Sequence, residues 1–170
     1  GQENKGWDYA KFLLGNERVG IARVGASKER IRRIKELARA EMDGQSPLIE
    51  NTRFRERVAA VEVELKALEM TQLRVVAAER NREKGKPDPA SSILKIKGSE
   101  IQQAITELAL EVAGPYALPY RGHERANEPP VGPDWAFPIA PTYFNSRKIS
   151  IYGGSNEIQR GIIAKSLLGL

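Results

Sequence analysis

The sequence predicts an all-α fold: an antiparallel four-helix bundle with one long Pro-rich loop. Three observations lead there. Apolar residues recur at steps of three and four over stretches too long for strands. No segment alternates apolar and polar residues with the period of a half-buried strand. Prolines gather in one region, residues 115–141, which separates three long periodic segments from a shorter terminal one.

The first helix is expected over residues 7 to about 40, with Tyr9, Phe12, Leu13, Val24, Ile31, Ile34 and Leu37 as its apolar positions. Gly15, Gly20 and Gly25 lie inside it. Each costs about 1 kcal/mol of helix propensity against Ala, so they point to close backbone approach by a neighbour or ligand, or to a break near Gly15. The second helix begins at Asn51 or Thr52, either of which can cap the free N–H groups of a first turn. Phe54, Val58, Val61, Leu65 and Leu68 then fall on one face, and the pattern runs through Leu73 and Val76 to Lys84. Gly85 supplies a left-handed end and Pro87 blocks continuation. About 32 residues at 1.5 Å each make a rod of roughly 48 Å, which needs long neighbours to cover its stripe. The third helix spans about residues 90–113, with Ile101, Ile105, Leu108 and Val112 as its stripe and Gly114-Pro115 as its stop.

Residues 115–141 carry Pro115, Pro119, Pro129, Pro130, Pro133, Pro138 and Pro141, out of 10 prolines in the chain. A loop this long is unusual inside a compact domain. A short helix follows at about 142–150. The last begins near Ser155, an acceptable N-cap with acidic Glu157 in its first turn, and carries Ile158, Ile162, Ile163, Leu167 and Leu168.

Composition excludes several chemistries. The chain has 170 residues and no cysteine, which rules out a disulfide framework, a thiol nucleophile and sulfur-ligated zinc. His123 is the only histidine, so no multi-histidine metal site is expected. No stretch reaches the length of a membrane span and residues 1–6 show no signal-peptide pattern; a cytoplasmic protein is the default. The net charge of +5 is compatible with a phosphate-bearing ligand, with nucleic acid, or with solubility alone, and its interleaved charges read as solvated faces. Trp135, Phe137 and Tyr143, near Arg121, His123 and Arg125, read as anchors of the loop rather than as a base-stacking platform, so no nucleic acid is expected.

The most informative segment is Ile151-Tyr152-Gly153-Gly154-Ser155-Asn156-Glu157-Ile158-Gln159-Arg160. Paired glycines before a helix let the backbone approach a ligand and aim the following N–H groups at it; the same pair also describes an ordinary turn. The wording is more specific. It resembles the C-terminal signature of the acyl-CoA dehydrogenases, commonly Tyr-Glu-Gly-Thr followed by Ile-Gln-Arg. The ending Ile162-Ile163-Ala164-Lys165 and Leu168-Gly169-Leu170, the opening Gly6-Trp7 and Leu13-Leu14-Gly15-Asn16-Glu17-Arg18, and Lys97-Gly98-Ser99-Glu100 are similar to the same family's C-terminal domain.

The resemblance implies FAD and the removal of two hydrogens from an acyl-CoA thioester, the α-proton going to a glutamate and the β-hydrogen to the flavin as hydride. In most members that glutamate follows the signature Tyr; here Gly153 stands there and cannot be a base. Other members place it on the first helix of this domain, directly before an Arg, and Glu17 before Arg18 fits. Glu17 is therefore expected as the general base, with Arg18 and Gly154 at the substrate. The same likeness puts Ser155, Asn156 and Glu157 at the flavin, and Glu111 and Gly114 at the FAD of a neighbouring subunit. Glu111 replaces the usual Gln there, setting a negative charge near a pyrophosphate unless a cation intervenes. The family's Arg-x-x-Phe-Gly after the first helix is replaced by Met42-Asp43-Gly44-Gln45-Ser46-Pro47-Leu48, leaving Arg53 and Arg55 as substitutes for its phosphate contact. A divergent subgroup shares the Gly-Gly form and includes enzymes for bulky, dicarboxylic or ring-bearing acyl groups, similar to pimeloyl-CoA and steroid side-chain dehydrogenases. Some of these work as pairs of unlike subunits.

The resemblance further implies an electron-transfer flavoprotein as acceptor and homo- or hetero-oligomers through the bundle. It also implies an N-terminal helical domain and a middle β domain outside residues 1–170, so that the isolated chain neither holds FAD tightly nor turns over. A non-catalytic partner subunit and a helical interaction module are the alternatives.

Overall fold

A computed structural model describes residues 1–79, 89–119 and 131–170; for residues 11, 14–19 and 79 it describes the backbone alone. Helices dominate: α1 (Gly6–Ile21), α2 (Val24–Ala40), α3 (Thr52–Glu79), α4 (Ala90–Ala113), α5 (Ile139–Ser146) and α6 (Asn156–Ile163). Single 3-10 turns follow at Leu48–Glu50, Gly114–Ala117 and Arg147–Ser150, and α6 runs on into a π-helical turn at Ala164–Leu168. The strands among the described residues are the two-residue β1 (Met42–Asp43) and β2 (Ser46–Pro47), antiparallel with Met42 opposite Pro47. Gly44, at φ +67°, makes the turn between them.

The expected first helix is two helices. The break falls at Ala22-Arg23, where Arg23 takes φ +46°, and not near Gly15. Its position has a packing reason. Ala22 is fully buried, and a Cβ on Gly98 of α4 would sit 2.7 Å from the Ala22 Cα. The chain steps where it is pressed against α4. Gly20 and Gly25 face open space among the described residues, so the close approach expected of them belongs to Gly98.

The second helix starts as expected. Asn51 Oδ1 accepts from the N–H of Phe54 at 3.2 Å, and Asn51 Nδ2 donates to Asp43 Oδ2 at 2.7 Å, tying the cap to β1. Asn51→Ala should lower stability by about 1 kcal/mol, read from denaturant unfolding. Phe54, Val58, Leu65 and Leu68 are buried, and the stripe continues through Val75 while Leu73 and Val76 are exposed. Leu73 stands five residues past Leu68 and so leaves the 3.6-residue period. The expected end at Gly85 lies outside the described residues.

Helix α4 matches its expected span and stripe: Ile101, Ile105, Leu108 and Val112 are all buried. The short helix after the loop begins at Ile139 rather than 142, because Pro141 fits the first turn, where its missing N–H has no partner to lose. Trp135 is half-buried, and Arg147 stacks 4.3 Å over the Tyr143 ring. Arg121, His123 and Arg125 lie outside the described residues.

The chain divides into two compact units, residues 1–25, 64–100 and 149–170 in the first, and residues 26–63 and 101–148 in the second. The first unit buries Ala22, Val24, Leu65, Leu68, Val75, Leu94, Ile96 and Ile149. Its helices are tied by Lys97 to Glu64 at 2.6 Å and by Arg160 to Glu100 at 3.4 Å. The second buries Ile31, Ile34, Phe54, Val58, Ile105 and Leu108 among others. Lys35 pairs there with Glu62 at 2.9 Å and Arg147 with Glu107 at 3.1 Å. Among the described residues no helix is long and apolar enough to cross a membrane.

Candidate functional site

The Gly-Gly segment forms a tight left-handed entry to α6. Gly153 and Gly154 take φ +69° and +85°, a region that side chains with a Cβ rarely enter. Space argues the same way. A Cβ on Gly153 would meet Ile21 Cδ1 at 2.7 Å, and one on Gly154 would meet Gln159 Nε2 at 2.5 Å. Ser155 caps α6 as expected, its Oγ accepting from the Ile158 N–H at 3.5 Å.

Helix α6 turns its polar side inward. Asn156 and Gln159 are buried, whereas Ile158, Leu167 and Leu168, expected on an apolar face, are exposed. Gln159 Nε2 donates to the Gly154 carbonyl at 3.4 Å. Its Oε1 is buried without a partner among the described residues.

The inward polar face meets Lys95, which is 0% exposed. Its Nζ donates to the Ser150 carbonyl at 2.9 Å and to Asn156 Oδ1 at 2.8 Å. Burial pushes the Lys95 ammonium below its ordinary value, while the field of Glu157 pulls it back up. Ser99 Oγ donates to the Ile96 carbonyl at 2.7 Å and accepts from Asn156 Nδ2 at 3.1 Å. That bond orients the amide so that its oxygen faces Lys95. The Asn156 side chain is thereby committed to α4.

Glu157 projects from the first turn of α6 into solvent. Its own backbone N–H and the Ser155 hydroxyl hold its carboxyl below the usual range, with Arg160 and Lys95 adding to the effect. A depressed carboxyl contributes stability above its unfolded value of 4.5 that is lost as pH falls through the native value. Glu157→Gln should therefore narrow the difference in Tm between pH 7 and pH 3, measured by thermal melts at both.

In the second unit, Arg57 donates to Glu111 Oε2. Gly114 follows at φ +51°, ending α4. The segment 42–48 is the small hairpin. Arg55 lines a cleft of about 530 Å³ with Lys35, Arg39, Thr52, Glu56 and Glu62.

Glu17 and Arg18 lie on the α1 backbone, and their side chains are outside the described residues. Glu17 precedes Ile21 by four residues, one turn or about 6 Å along the axis. Ile21 is the residue whose Cδ1 occupies the space beside Gly153. Among the described residues no three metal-ligating side chains gather.

Sequence reasoning missed Lys95. The signal was present as a polar stripe on α4, Ser92, Lys95, Ser99, Gln102 and Thr106, alternating by three and four and buried throughout. A search for apolar periodicity passes over it.

The chain is all-α, and its last helix α6 is capped by Ser155 after the Gly153-Gly154 turn. The family described as "Acyl-CoA dehydrogenase, C-terminal domain" matches residues 4–168, and the chain belongs to it. Acyl-CoA dehydrogenase FadE26 of Mycobacterium tuberculosis is 27% identical over the whole of this chain and 41% of its own length. Acyl-CoA dehydrogenase IpdE1 of Mycolicibacterium smegmatis is 30% identical over the whole of this chain and 38% of its own. Among solved structures, a chain of the ChsE4-ChsE5 complex from Mycobacterium tuberculosis superposes with a TM-score of 0.75 at 25% identity, covering 100% of this chain and 42% of that one. The chain thus spans about two fifths of the length of the relatives it matches.

Proposed function

We propose that the parent protein of this domain is an FAD-dependent dehydrogenase that introduces an α,β double bond into an acyl-CoA thioester, with Glu17 as its base. The observation that carries the reading is the pairing of an empty position with a filled one. Gly153 has no side chain, its φ of +69° disfavours one, and Ile21 occupies the space a Cβ would need. Proton abstraction still requires a base, and Glu17 stands one turn before Ile21 on α1. Arg18 and Gly154 would adjoin the substrate.

FAD fits the residues present. Gly153 and Gly154 carry no side chains of their own to hold a planar ring away from the backbone, and Arg57 neutralises Glu111 where a pyrophosphate would repel it. Ser155, Asn156 and Glu157 would hold one flavin, Asn156 through its backbone because its amide is engaged with α4. Glu111 and Gly114 would meet another across a subunit boundary, as would the cations Arg39 and Arg55. Bound FAD supplies the acceptor for the β-hydrogen as hydride. Glu17 takes the α-proton, a task that calls for a carboxylate whose proton affinity is tuned by its surroundings.

An electron-transfer flavoprotein as acceptor, an oligomer built through the helices and further domains that complete the acyl-CoA cleft belong to the same proposal, and the likeness to a chain of the ChsE4-ChsE5 complex supports the oligomer. A non-catalytic role within a pair of unlike subunits is the second reading, favoured by the likeness to a chain of the ChsE4-ChsE5 complex. The test is a panel of acyl-CoA thioesters, short, bulky, ring-bearing and dicarboxylic, offered to the full-length protein with a dye acceptor. Dye reduction by one class supports the first reading. A flavoprotein that bleaches with none contradicts it.

A further inference from the structure

The loop between Ser150 and Asn156 carries both left-handed glycines, and one buried ammonium holds its two ends. Lys95 Nζ bonds the carbonyl of Ser150, the residue before the loop, and the side chain of Asn156, the residue after it. Both acceptors are neutral, and among the described residues no carboxylate pairs with this lysine. Burying a charge on two neutral oxygens, with Glu157 acting only through its field, is costly, and an apolar side chain would fill the volume without that cost. What such a side chain lacks is reach to two acceptors at once.

The rest of the cluster reinforces the geometry. Ser99, one turn on from Lys95, fixes the Asn156 amide so that its oxygen meets the ammonium. Gln159 bonds the Gly154 carbonyl from within α6, and Ile21 closes the outer side of Gly153. With Ser150 and Asn156 held at a set separation, the five residues between them must turn back sharply. Two consecutive positive φ values accomplish this. Releasing either end would free the pair to relax.

We propose that Lys95 is a positioning residue for the reaction: by clamping Ser150 and Asn156 to α4, it sets the conformation of Gly153-Gly154-Ser155 that meets substrate and flavin. The consequence for turnover rests on the function proposed above; the clamp itself does not. Lys95 touches no reacting atom. Its effect on chemistry passes through the loop.

The test uses the full-length, FAD-loaded enzyme with Lys95→Met, which keeps an unbranched apolar stem out to the ε position and removes the donors. Two readouts are taken. Amide hydrogen exchange across residues 150–156 should quicken by about tenfold or more while α3 keeps its protection. kcat should fall by about 10- to 100-fold, the scale of an ångström-sized misplacement, with KM within about threefold of wild type and the flavin absorption band shifted. A purely structural lysine would lower Tm and leave kcat and the spectrum alone. A Lys95→Met enzyme with wild-type exchange, kcat and spectrum overturns the proposal whatever its Tm. If that variant does not fold, Lys95→Gln decides: its amide is one bond shorter and cannot reach both acceptors, and wild-type exchange and kcat in it overturn the proposal equally. Absence of turnover in the wild-type enzyme would count against the proposed function, and the exchange measurement would still decide the clamp.

Discussion

Glu17→Gln in the full-length enzyme should abolish acyl-CoA dehydrogenation while leaving FAD bound. The amide keeps the size of the carboxyl and loses its ability to accept a proton, so the loss should be at least the roughly 100- to 10,000-fold that a positioned general base contributes. The measurement is single-turnover bleaching of the flavin with the best substrate of the panel, beside the flavin absorbance of the variant before mixing. Moving the carboxylate back to the signature should not rescue it. Glu17→Gln with Gly153→Glu places a side chain at φ +69° and drives its Cβ to within 2.7 Å of Ile21 Cδ1. Turnover unchanged in Glu17→Gln would remove this residue from the mechanism.

Gly98→Ala should destabilise the protein by about 1–3 kcal/mol, the range for overpacking a filled interior, despite a gain of about 1 kcal/mol in helix propensity. The new methyl would lie 2.7 Å from the Ala22 Cα and 3.1 Å from its carbonyl oxygen. These are backbone atoms of a fully buried residue, so no rotamer change relieves the contact. Ala22→Gly should fail to rescue it for the same reason. Gly25→Ala, in α2 with open space around it, should be neutral or stabilising. Denaturant midpoints of the three variants and the wild type separate these outcomes.

The helices were legible because burial imposes a period on the order of apolar residues along the chain. The stripe on α4 and the caps at Asn51 and Ser155 needed only spacing and side-chain chemistry. The break at Arg23 was not legible, since arginine rarely takes positive φ and the cause is α4, distant in sequence. For the same reason the sequence could not tell which glycines lie against a neighbour: Gly20 and Gly25 do not, and Gly98 does. At the candidate site the Gly-Gly turn and the cap were visible, but the pairing of Arg57 with Glu111, 54 residues apart, was not. Lys95 escaped because a buried lysine reads as surface until its partners are known. Asn156 was named for the flavin, but that its side chain and that of Gln159 turn inward was not legible, because polar residues beside Ile158 and Leu167 read as the solvated face.

The most direct test of the account is exchange at the α-carbon. Full-length enzyme is incubated in D2O with its saturated acyl-CoA, and deuterium at Cα is followed by mass spectrometry in wild type and Glu17→Gln. Glu17 as the base predicts α-deuterium with wild type and none above background with the variant, although the variant still binds the thioester. Wild-type rates of α-exchange in Glu17→Gln would mean that another group takes the proton.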